Sequence, residues 1–300
     1  MAENTTMPPV GMALWLLTGG TLADRVEWLA ASGFNAASLL EESVMLDEQE
    51  RAEASAAMRE AGLRLTYHPN FHSPERLTPA GDIDFSYIRR ILDDVLWWHE
   101  HTCGVASCCI DPVSFLHDGK PLFSPDASRR VVHAIADRLG QAGIRPGIEN
   151  TWGGQHSFGS LDAIARFKAL CDLPSMGLLL DAGHTNIHVR SDGMSGETEI
   201  GDFVRALPLE VLEVHLSDNQ GQRDQHRGIR CGNLDLRSLL QALKDTGFRG
   251  QLTVEVCADI ANGRYASDIS NPAETAPLLR SLDALRSTWH SLGGVGQRSG

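Results

Sequence analysis

Apolar and polar positions alternate along the chain in one rhythm from end to end. Eight short runs rich in apolar and β-branched residues predict buried strands: "GMALWLL", "FNAASLL", "LRLTYH", "VASCCI", "RPGIEN", "MGLLLD", "EVLEVHL" and "QLTVEV". Amphipathic stretches between them predict helices: "TLADRVEWLAASG", "EQERAEASAAMREAG", "DFSYIRRILDDVLWWHEH", "DASRRVVHAIADRLGQAG", "SLDAIARFKAL", "DLRSLLQALKDTG" and "AETAPLLRSLDALRSTW". Strand and helix therefore alternate throughout the sequence.

Several predicted helices stop at a glycine, as in "ASGF", "EAGL", "QAGI" and "DTGF", and the next strand begins at once. Glycine just past a helix accepts the left-handed backbone conformation that ends it. Eight strands alternating with about eight helical segments predict an α/β fold, a (β/α)8 TIM barrel. The connection after "LLLDAGH" has the weakest helix, because only "TEIGDFVRAL" is available to form it.

The structural alternative is a doubly wound open sheet. No strand is followed by a GxGxxG or GxxxxGK loop, which removes the usual nucleotide-binding forms of that fold. No linker rich in Pro, Gly or Ser divides the 300 residues. We therefore expect a single domain over residues 1–300, with the barrel at about 10–290 and flexible termini.

The charge balance limits the choice of partners. The chain has 26 basic and 39 acidic residues, a net charge of −13, so its surface repels polyanions and we expect no nucleic-acid and no membrane partner. The sequence shows no signal-peptide pattern and no apolar stretch as long as a membrane span, which predicts a cytoplasmic protein. The six cysteines lack CxxC spacing, so we expect small buried side chains rather than a disulfide framework.

Ionisable residues collect where six consecutive predicted strands end. In a barrel, chemistry is built at the carboxyl ends of the strands. The residues concerned are His68, Asp111, Glu149, Asp181 with His184, His215 with Asp224 and His226 in the following loop, and Glu255.

Two of these positions are difficult to explain by packing or solvation, whereas Glu149 taken alone would more often be a helix N-cap neighbour or a solvated charge. Glu255 and Asp181 stand in or directly after apolar runs, where a bare carboxylate is costly to bury. Three carboxylates facing one another, including Glu149, would repel strongly unless a cation held them. Oxygen ligands with one imidazole suit Mn²⁺, Mg²⁺, Co²⁺ or Zn²⁺. We therefore predict a divalent metal site with His215 as a ligand.

The segments "GIEN", "LLLDAGH", "VHLSDNQGQRDQHRG…GNLD" and "TVEV" resemble the xylose-isomerase-like barrel superfamily over nearly the whole chain. This superfamily includes sugar and polyol isomerases and epimerases, inosose dehydratases, hydroxypyruvate isomerases and endonuclease IV-type repair enzymes. The resemblance implies that Glu149, Asp181, His215 and Glu255 hold one catalytic metal. It also implies that Glu149 and Glu255 move a proton on opposite sides of the substrate, and that His184 contacts a substrate hydroxyl.

The loop pair Asp224 and His226 leaves a second interpretation open. Together with His184, these two residues are similar to the residues that hold a further zinc ion in the endonuclease branch. Many sugar-type relatives keep a similar loop, so the pair does not by itself identify the branch. An ordered lid loop in which Asp224 accepts hydrogen bonds is the plainer explanation. At strand four, that branch has a histidine where this chain has "CCIDP", so Asp111 is a weak substitute and His68 alone leaves that metal site short of a ligand.

The leading functional prediction is a metal-dependent isomerase or epimerase of a ketose or related polyhydroxy carbonyl compound, acting by proton transfer through an enediolate. Loss of water from the same intermediate would make a dehydratase of a keto-polyol. The alternatives are a multi-metal phosphoesterase of the endonuclease IV type and a metal-free binding barrel. Counting metal ions per chain separates these classes.

Two further residues could line the pocket. Trp152 follows Glu149 and could wall a sugar site, although rim tryptophans pack in cores at least as often. Arg227 could bind a substrate carboxylate or phosphate, although loop arginines are more often solvated. Relatives often associate through their outer helices, so a homodimer or homotetramer is an open expectation that the periodicity itself does not mark.

Overall fold

Eight parallel strands close into a barrel, and their order around the ring follows the chain. The computed structural model describes residues 6–40, 46–69, 85–110, 116–117, 120–121, 125–152, 158–190 and 199–292. The barrel strands are β1 (Val10–Ala13), β2 (Ala36–Leu39), β3 (Arg64–Tyr67), β4 (Val105–Ile110), β5 (Arg145–Glu149), β6 (Gly177–Asp181), β7 (Val211–Leu216) and β8 (Gln251–Val254). Strand β1 pairs in parallel with both β2 and β8, which confirms the predicted (β/α)8 barrel and excludes the open sheet.

Helices connect the strands on the outside of the barrel. They are α1 (Leu22–Ala31), α2 (Glu48–Glu60), α3 (Phe85–His101), α4 (Pro125–Gln141), α5 (Leu161–Cys171), α6 (Ala182–Arg190), α7 (Ile200–Arg205), α8 (Leu236–Asp245) and α9 (Pro272–Ser291). Helix α8 shows how they attach: its buried side chains, including Leu236, Leu239, Leu240 and Leu243, form one apolar stripe.

A glycine follows the end of four of these helices, as predicted. Gly33, Gly62, Gly143 and Gly247 all have positive φ, between 62° and 92°. The chain reverses there within two residues of the helix end, so each following strand starts close to the barrel wall.

Helix α6 was not predicted. We expected only "TEIGDFVRAL" to form a helix between β6 and β7, and α7 lies there, but α6 begins immediately after Asp181. Its sequence, "AGHTNIHVR", has low helix propensity. Side-chain hydrogen bonds stabilise it instead: Asn186 Nδ2 donates to the Oδ1 atoms of Asn219 and Asn233, at 2.9 Å each.

The remaining described segments add little to the barrel. Leu17–Thr18 pairs with Ser267–Asp268, and Leu116–His117 pairs with Lys120–Pro121. Four of the six cysteines are buried, in line with the prediction. Among the described helices, none has the length and hydrophobicity to cross a membrane. Residues 1–5 and 293–300, where we expected flexible tails, lie outside the described residues.

Candidate metal centre

The carboxyl ends of β5 to β8 bring the four predicted metal ligands to one rim of the barrel. Glu149 and Asp181 are the last residues of β5 and β6, and Glu255 follows β8 directly. His215 lies on β7, in register with Asp181 of the neighbouring strand. Because all strands are parallel, these residues share one end of the barrel.

The four side chains form one cluster. Glu149, Asp181 and His215 each offer a ligand atom, and these atoms all lie within 4.8 Å of one another. Glu255 Oε2 lies 3.2 Å from His215 Nδ1. His215 is completely buried, Asp181 is 2% exposed and Glu149 is 7% exposed. The four predicted ligands therefore lie close together in space.

The donor atoms fit a divalent cation. Both ring nitrogens of His215 are buried beside carboxylates, with Nδ1 3.2 Å from Glu255 Oε2 and Nε2 3.4 Å from Glu213 Oε1. Burial raises the pKa of Asp181 to about 7; the charge of His184 opposes this rise, and the charges of Glu255 and Glu149 add to it. A cation among these oxygens would relieve that repulsion. Oxygen ligands with one imidazole match the preferences of Mn²⁺, Mg²⁺, Co²⁺ and Zn²⁺.

The two glutamates are held in the ionised form. Burial raises the pKa of Glu255, but the charge and hydrogen bond of His215 and the charge of His226 outweigh it and leave the pKa at about 2. Burial likewise raises the pKa of Glu149, and the hydrogen bond and charge of His68 reverse the shift so that the pKa is lowered. Both carboxylates therefore carry a negative charge at neutral pH.

His68 lies at the site, as predicted. Its Nε2 is 3.0 Å from Glu149 Oε2, and its ring stacks on His215 at a centroid distance of 5.4 Å. Cys109 joins His68 and Glu149 in a second group whose ligand atoms lie within 4.8 Å of one another. Asp111, which the sequence analysis names at the end of this strand, lies outside the described residues. The signal for Cys109 was its position inside a predicted barrel strand, where alternate side chains face the interior.

His184, Asp224 and His226 form an adjoining cluster. Asp224 Oδ2 lies 2.7 Å from His226 Nε2 and 3.4 Å from His184 Nε2. The Nδ1 atoms of the two rings donate to backbone carbonyls: His184 to Asn150 at 2.9 Å, and His226 to Glu255 at 3.1 Å. Both Nε2 atoms are thereby aimed at one carboxylate, whose Oδ1 is buried without a hydrogen-bond partner among the described residues.

The sequence analysis missed one asparagine, Asn150, and one glutamate, Glu213. Asn150 Oδ1 accepts from Asp181 N at 2.7 Å, and its Nδ2 donates to Asp181 O at 3.2 Å, which fixes the end of β5 to the end of β6. Glu213 is buried on β7, and its Oε1 lies 3.4 Å from His215 Nε2. Its position two residues before His215 places it on the same strand face, a signal that was available.

Trp15, Trp152 and Arg227 differ in their position relative to the cluster. Trp15, just after β1, lies beside the cluster, with its ring 5.7 Å from that of His68 and 6.1 Å from that of His215. Trp152 is 42% exposed beyond the end of β5, which suits a pocket wall better than a core position. Arg227 is exposed and donates to Cys231 O at 3.4 Å, and none of its described contacts is with the four metal-ligand candidates.

The fold and the site together define a (β/α)8 barrel with a carboxylate–histidine cluster at its catalytic rim. The family model described as xylose isomerase-like TIM barrel matches residues 26–287. The chain belongs to this family, as its motifs indicated.

Solved structures of the same fold include ketose epimerases. A D-psicose 3-epimerase from Clostridium cellulolyticum is 15% identical, with a TM-score of 0.70 over 94% of this chain and 99% of that one. An L-ribulose 3-epimerase is 16% identical, with a TM-score of 0.69 over 98% of this chain and 100% of that one. At these identities the likeness establishes the fold alone.

Among curated proteins, the 3-dehydroshikimate dehydratase of Pseudomonas putida is 21% identical over 80% of this chain and 36% of its own length. An uncharacterized protein of Methanocaldococcus jannaschii is 25% identical over 38% of this chain and 37% of its own length. The matches therefore span little more than a third of each of these two relatives.

Proposed function

We propose that this protein is a divalent-metal-dependent isomerase or epimerase of a ketose or related polyhydroxy carbonyl compound. One observation carries the proposal: a fully buried histidine stands among Glu149, Asp181 and Glu255 at the rim where barrel enzymes do their chemistry. Ionisable groups assembled in this way point to a functional site.

Glu149, Asp181, His215 and Glu255 would hold the ion, which is Mn²⁺, Co²⁺, Mg²⁺ or Zn²⁺ in this proposal. When bound, such an ion acts as a Lewis acid on a substrate carbonyl and makes the neighbouring C–H more acidic. Cys109 and His68 lie close to Glu149, so oxygen, nitrogen and sulfur donors would all lie near the ion.

The protein's own groups would move the proton. Glu149 and Glu255 are ionised, and each is steadied by a histidine: His68 at 3.0 Å from Glu149, and His215 at 3.2 Å from Glu255. One carboxylate removes the proton next to the carbonyl to give an enediolate, and a proton then returns. Return on the opposite face gives an epimer, whereas return at the adjacent carbon gives an isomer.

Other rim residues would orient the substrate. His184 is within reach of substrate hydroxyls in this proposal, because its side chain is 14% exposed beside Glu149 and Asp181. Trp15 and Trp152 would form apolar walls against the sugar's C–H faces. The ketose 3-epimerases among the fold's neighbours support this substrate class.

Two other reactions have support of their own. The match to a dehydratase favours loss of water from the same enediolate. The cluster of His184, Asp224 and His226 favours a multi-metal phosphoesterase of the endonuclease IV type, because its two Nε2 atoms converge on one carboxylate. We place both second, the phosphoesterase because the net charge of −13 disfavours a polyanionic substrate.

The test is an assay of metal-stripped and reloaded protein on a panel of ketoses, with D-psicose, D-tagatose, D-fructose and L-ribulose first. We expect EDTA to abolish conversion and one equivalent of Mn²⁺ or Co²⁺ to restore it. A protein indifferent to EDTA would contradict the proposal. Two or three ions per chain, with incision of an abasic-site duplex that His226→Ala abolishes, would support the phosphoesterase instead.

The remaining expectations belong to the same proposal. They are a small polyhydroxy substrate, no nucleic-acid or membrane partner, a cytoplasmic location, and a homodimer or homotetramer. Native mass spectrometry of the metal-loaded protein measures the subunit number and the metal count in one experiment.

A further inference from the structure

A carboxylate that the proposed reaction does not use lies directly beneath the metal-ligand cluster. Glu213 is 2% exposed and stands on β7 two residues before His215, so both side chains project from the same face of the strand. An ionised carboxylate is costly to bury without partners. The contacts that keep Glu213 there therefore indicate what it does.

Two threonines fix the position of this carboxylate. Glu213 Oε1 accepts from Thr66 Oγ1 at 2.8 Å and from Thr253 Oγ1 at 2.6 Å. Gln251 Nε2 donates to the same two hydroxyl oxygens, at 3.2 Å and 3.0 Å. Each hydroxyl has a single proton to donate. Because Gln251 satisfies the hydroxyl oxygens as acceptors, both protons remain directed at Glu213.

These contacts reach across the barrel. Thr66 comes from β3, on the far side of the barrel from β7. The hydrogen bond between Thr66 and Glu213 therefore crosses the barrel interior and fixes the position of the carboxylate below the rim.

The ring of His215 lies between two carboxylates. Its Nε2 is 3.4 Å from Glu213 Oε1, and its Nδ1 is 3.2 Å from Glu255 Oε2. A neutral imidazole carries one N–H, and only the nitrogen without the proton can bind a metal ion. The carboxylate that accepts the hydrogen bond from the N–H group therefore determines which ring nitrogen is free to bind the cation.

We propose that Glu213 is a positioning residue: it receives the Nε2–H of His215, and thereby fixes the tautomer and the ring so that the Nδ1 lone pair faces Glu149, Asp181 and Glu255. This inference rests on the proposed metal centre. Glu213 contacts neither the ion nor the substrate and acts only through His215. A partner of this kind typically changes metal affinity 10- to 100-fold.

The experiment compares Co²⁺ binding to the wild type, Glu213→Gln, Glu213→Leu and a control, Asp94→Asn. Asp94, on helix α3, is also a buried carboxylate, and the side chains of Tyr67 and Arg51 donate hydrogen bonds to it. We expect Glu213→Leu to bind Co²⁺ about 10- to 100-fold more weakly, with a changed visible absorption spectrum. The Co²⁺ affinity of Glu213→Gln should lie between those of the wild type and Glu213→Leu. The control Asp94→Asn should bind Co²⁺ as tightly as the wild type does, even if it is less stable.

A purely structural Glu213 would lower stability and leave the Co²⁺ affinity and spectrum unchanged in both variants, which would overturn the inference. If Glu213→Leu does not fold, the Co²⁺ affinity and spectrum of the isosteric Glu213→Gln, compared with those of the wild type, still test the inference.

In protein labelled with ¹⁵N-histidine and loaded with Zn²⁺, we expect the His215 proton on Nε2 and the metal on Nδ1. The reverse assignment would overturn the inference.

Failure of the proposed function gives a different result. If the wild type binds no divalent ion, both the metal-dependent reaction and this inference are wrong. If the wild type binds the ion and the Glu213 variants bind it equally tightly with an unchanged spectrum, only the inference is wrong.

Discussion

At the scale of single residues, the charges of the site depend on one another. His184 and His226 share Asp224, while Glu149 and Glu255 each face a histidine. Burial alone would neutralise most of these groups, and their mutual contacts keep them charged. Substituting one member therefore changes the protonation of its neighbours as well as its own contacts.

His226 gives a pH-dependent prediction for the metal-free protein. Burial lowers its pKa, but the hydrogen bond to Asp224 and the charges of Glu255 and Asp224 raise it to about 10. A raised folded-state pKa adds stability that is fully present below about 6.5 and is lost as pH rises through about 10. We expect the Tm of EDTA-treated wild type to fall over this range.

The matched variant is His226→Gln, which cannot titrate. Its Tm should fall less between pH 6.5 and 10, by a difference on the order of 1 kcal/mol or about 2 °C. The measurement is a series of thermal melts across that range. Parallel Tm curves for the two proteins would show that the ion pair does not contribute in this way.

The residues of the cluster that stand out in the sequence are those whose type is unexpected at their position. Asp181 and Glu255 interrupt apolar runs, and that contrast is visible without a structure. The contact between His68 and Glu149 spans 81 positions, and no local pattern encodes such a distance. Cys109 and Glu213 were missed for a related reason, because a buried cysteine and a strand glutamate have ordinary explanations until their neighbours are known.

At the scale of elements, the strands and most helices follow directly from hydrophobic periodicity and glycine stops. Helix α6 does not, because its residues favour helix weakly and its stability comes from contacts with the loop after β7. Such a tertiary contribution is absent from the local sequence. The same contacts attach α6, which carries His184, to the loop that carries Asp224 and His226.

Removing this attachment should destabilise the protein. We expect Asn186→Ala to lose a buried hydrogen bond to Asn219 and a partly buried one to Asn233, at a cost of about 1–3 kcal/mol. This corresponds to a fall in Tm of roughly 2–10 °C. Chemical denaturation and thermal melts measure it.

The control is Gln49→Ala, which removes an exposed hydrogen bond to Glu53 on the surface of α2. Its stability should stay within about 0.5 kcal/mol of the wild type. If Asn186→Ala were equally mild, α6 would not depend on this contact.

At the scale of the whole molecule, barrel closure gathers the site. The metal-ligand candidates come from four consecutive strands of a ring that the pairing of β1 with β8 closes. A ligand bound at that rim should therefore stabilise the entire fold. Binding to the native state alone adds about 2.7 kcal/mol when the ion is at 100 times its Kd.

We therefore expect saturating Mn²⁺ or Co²⁺ to raise the Tm of metal-free protein by about 5 °C or more. Asp181→Asn should lose most of this rise, since it removes a charged ligand from the cluster. The surface variant Asp162→Asn, whose carboxylate pairs with Arg166, should keep the full rise. Equal rises in all three proteins would place the ion elsewhere.

The most direct test of the proposed reaction is hydrogen exchange between a ketose substrate and solvent, measured as deuterium incorporation from D₂O by mass spectrometry. With metal saturated, the wild type should incorporate deuterium next to the carbonyl. Glu149→Gln and Glu255→Gln should retain a bound ion, with weaker affinity, and lose exchange by a factor of about 10² to 10⁴, as expected when a general base is removed. Exchange at the wild-type rate in both variants would contradict the account, because the proton would then be carried by other groups.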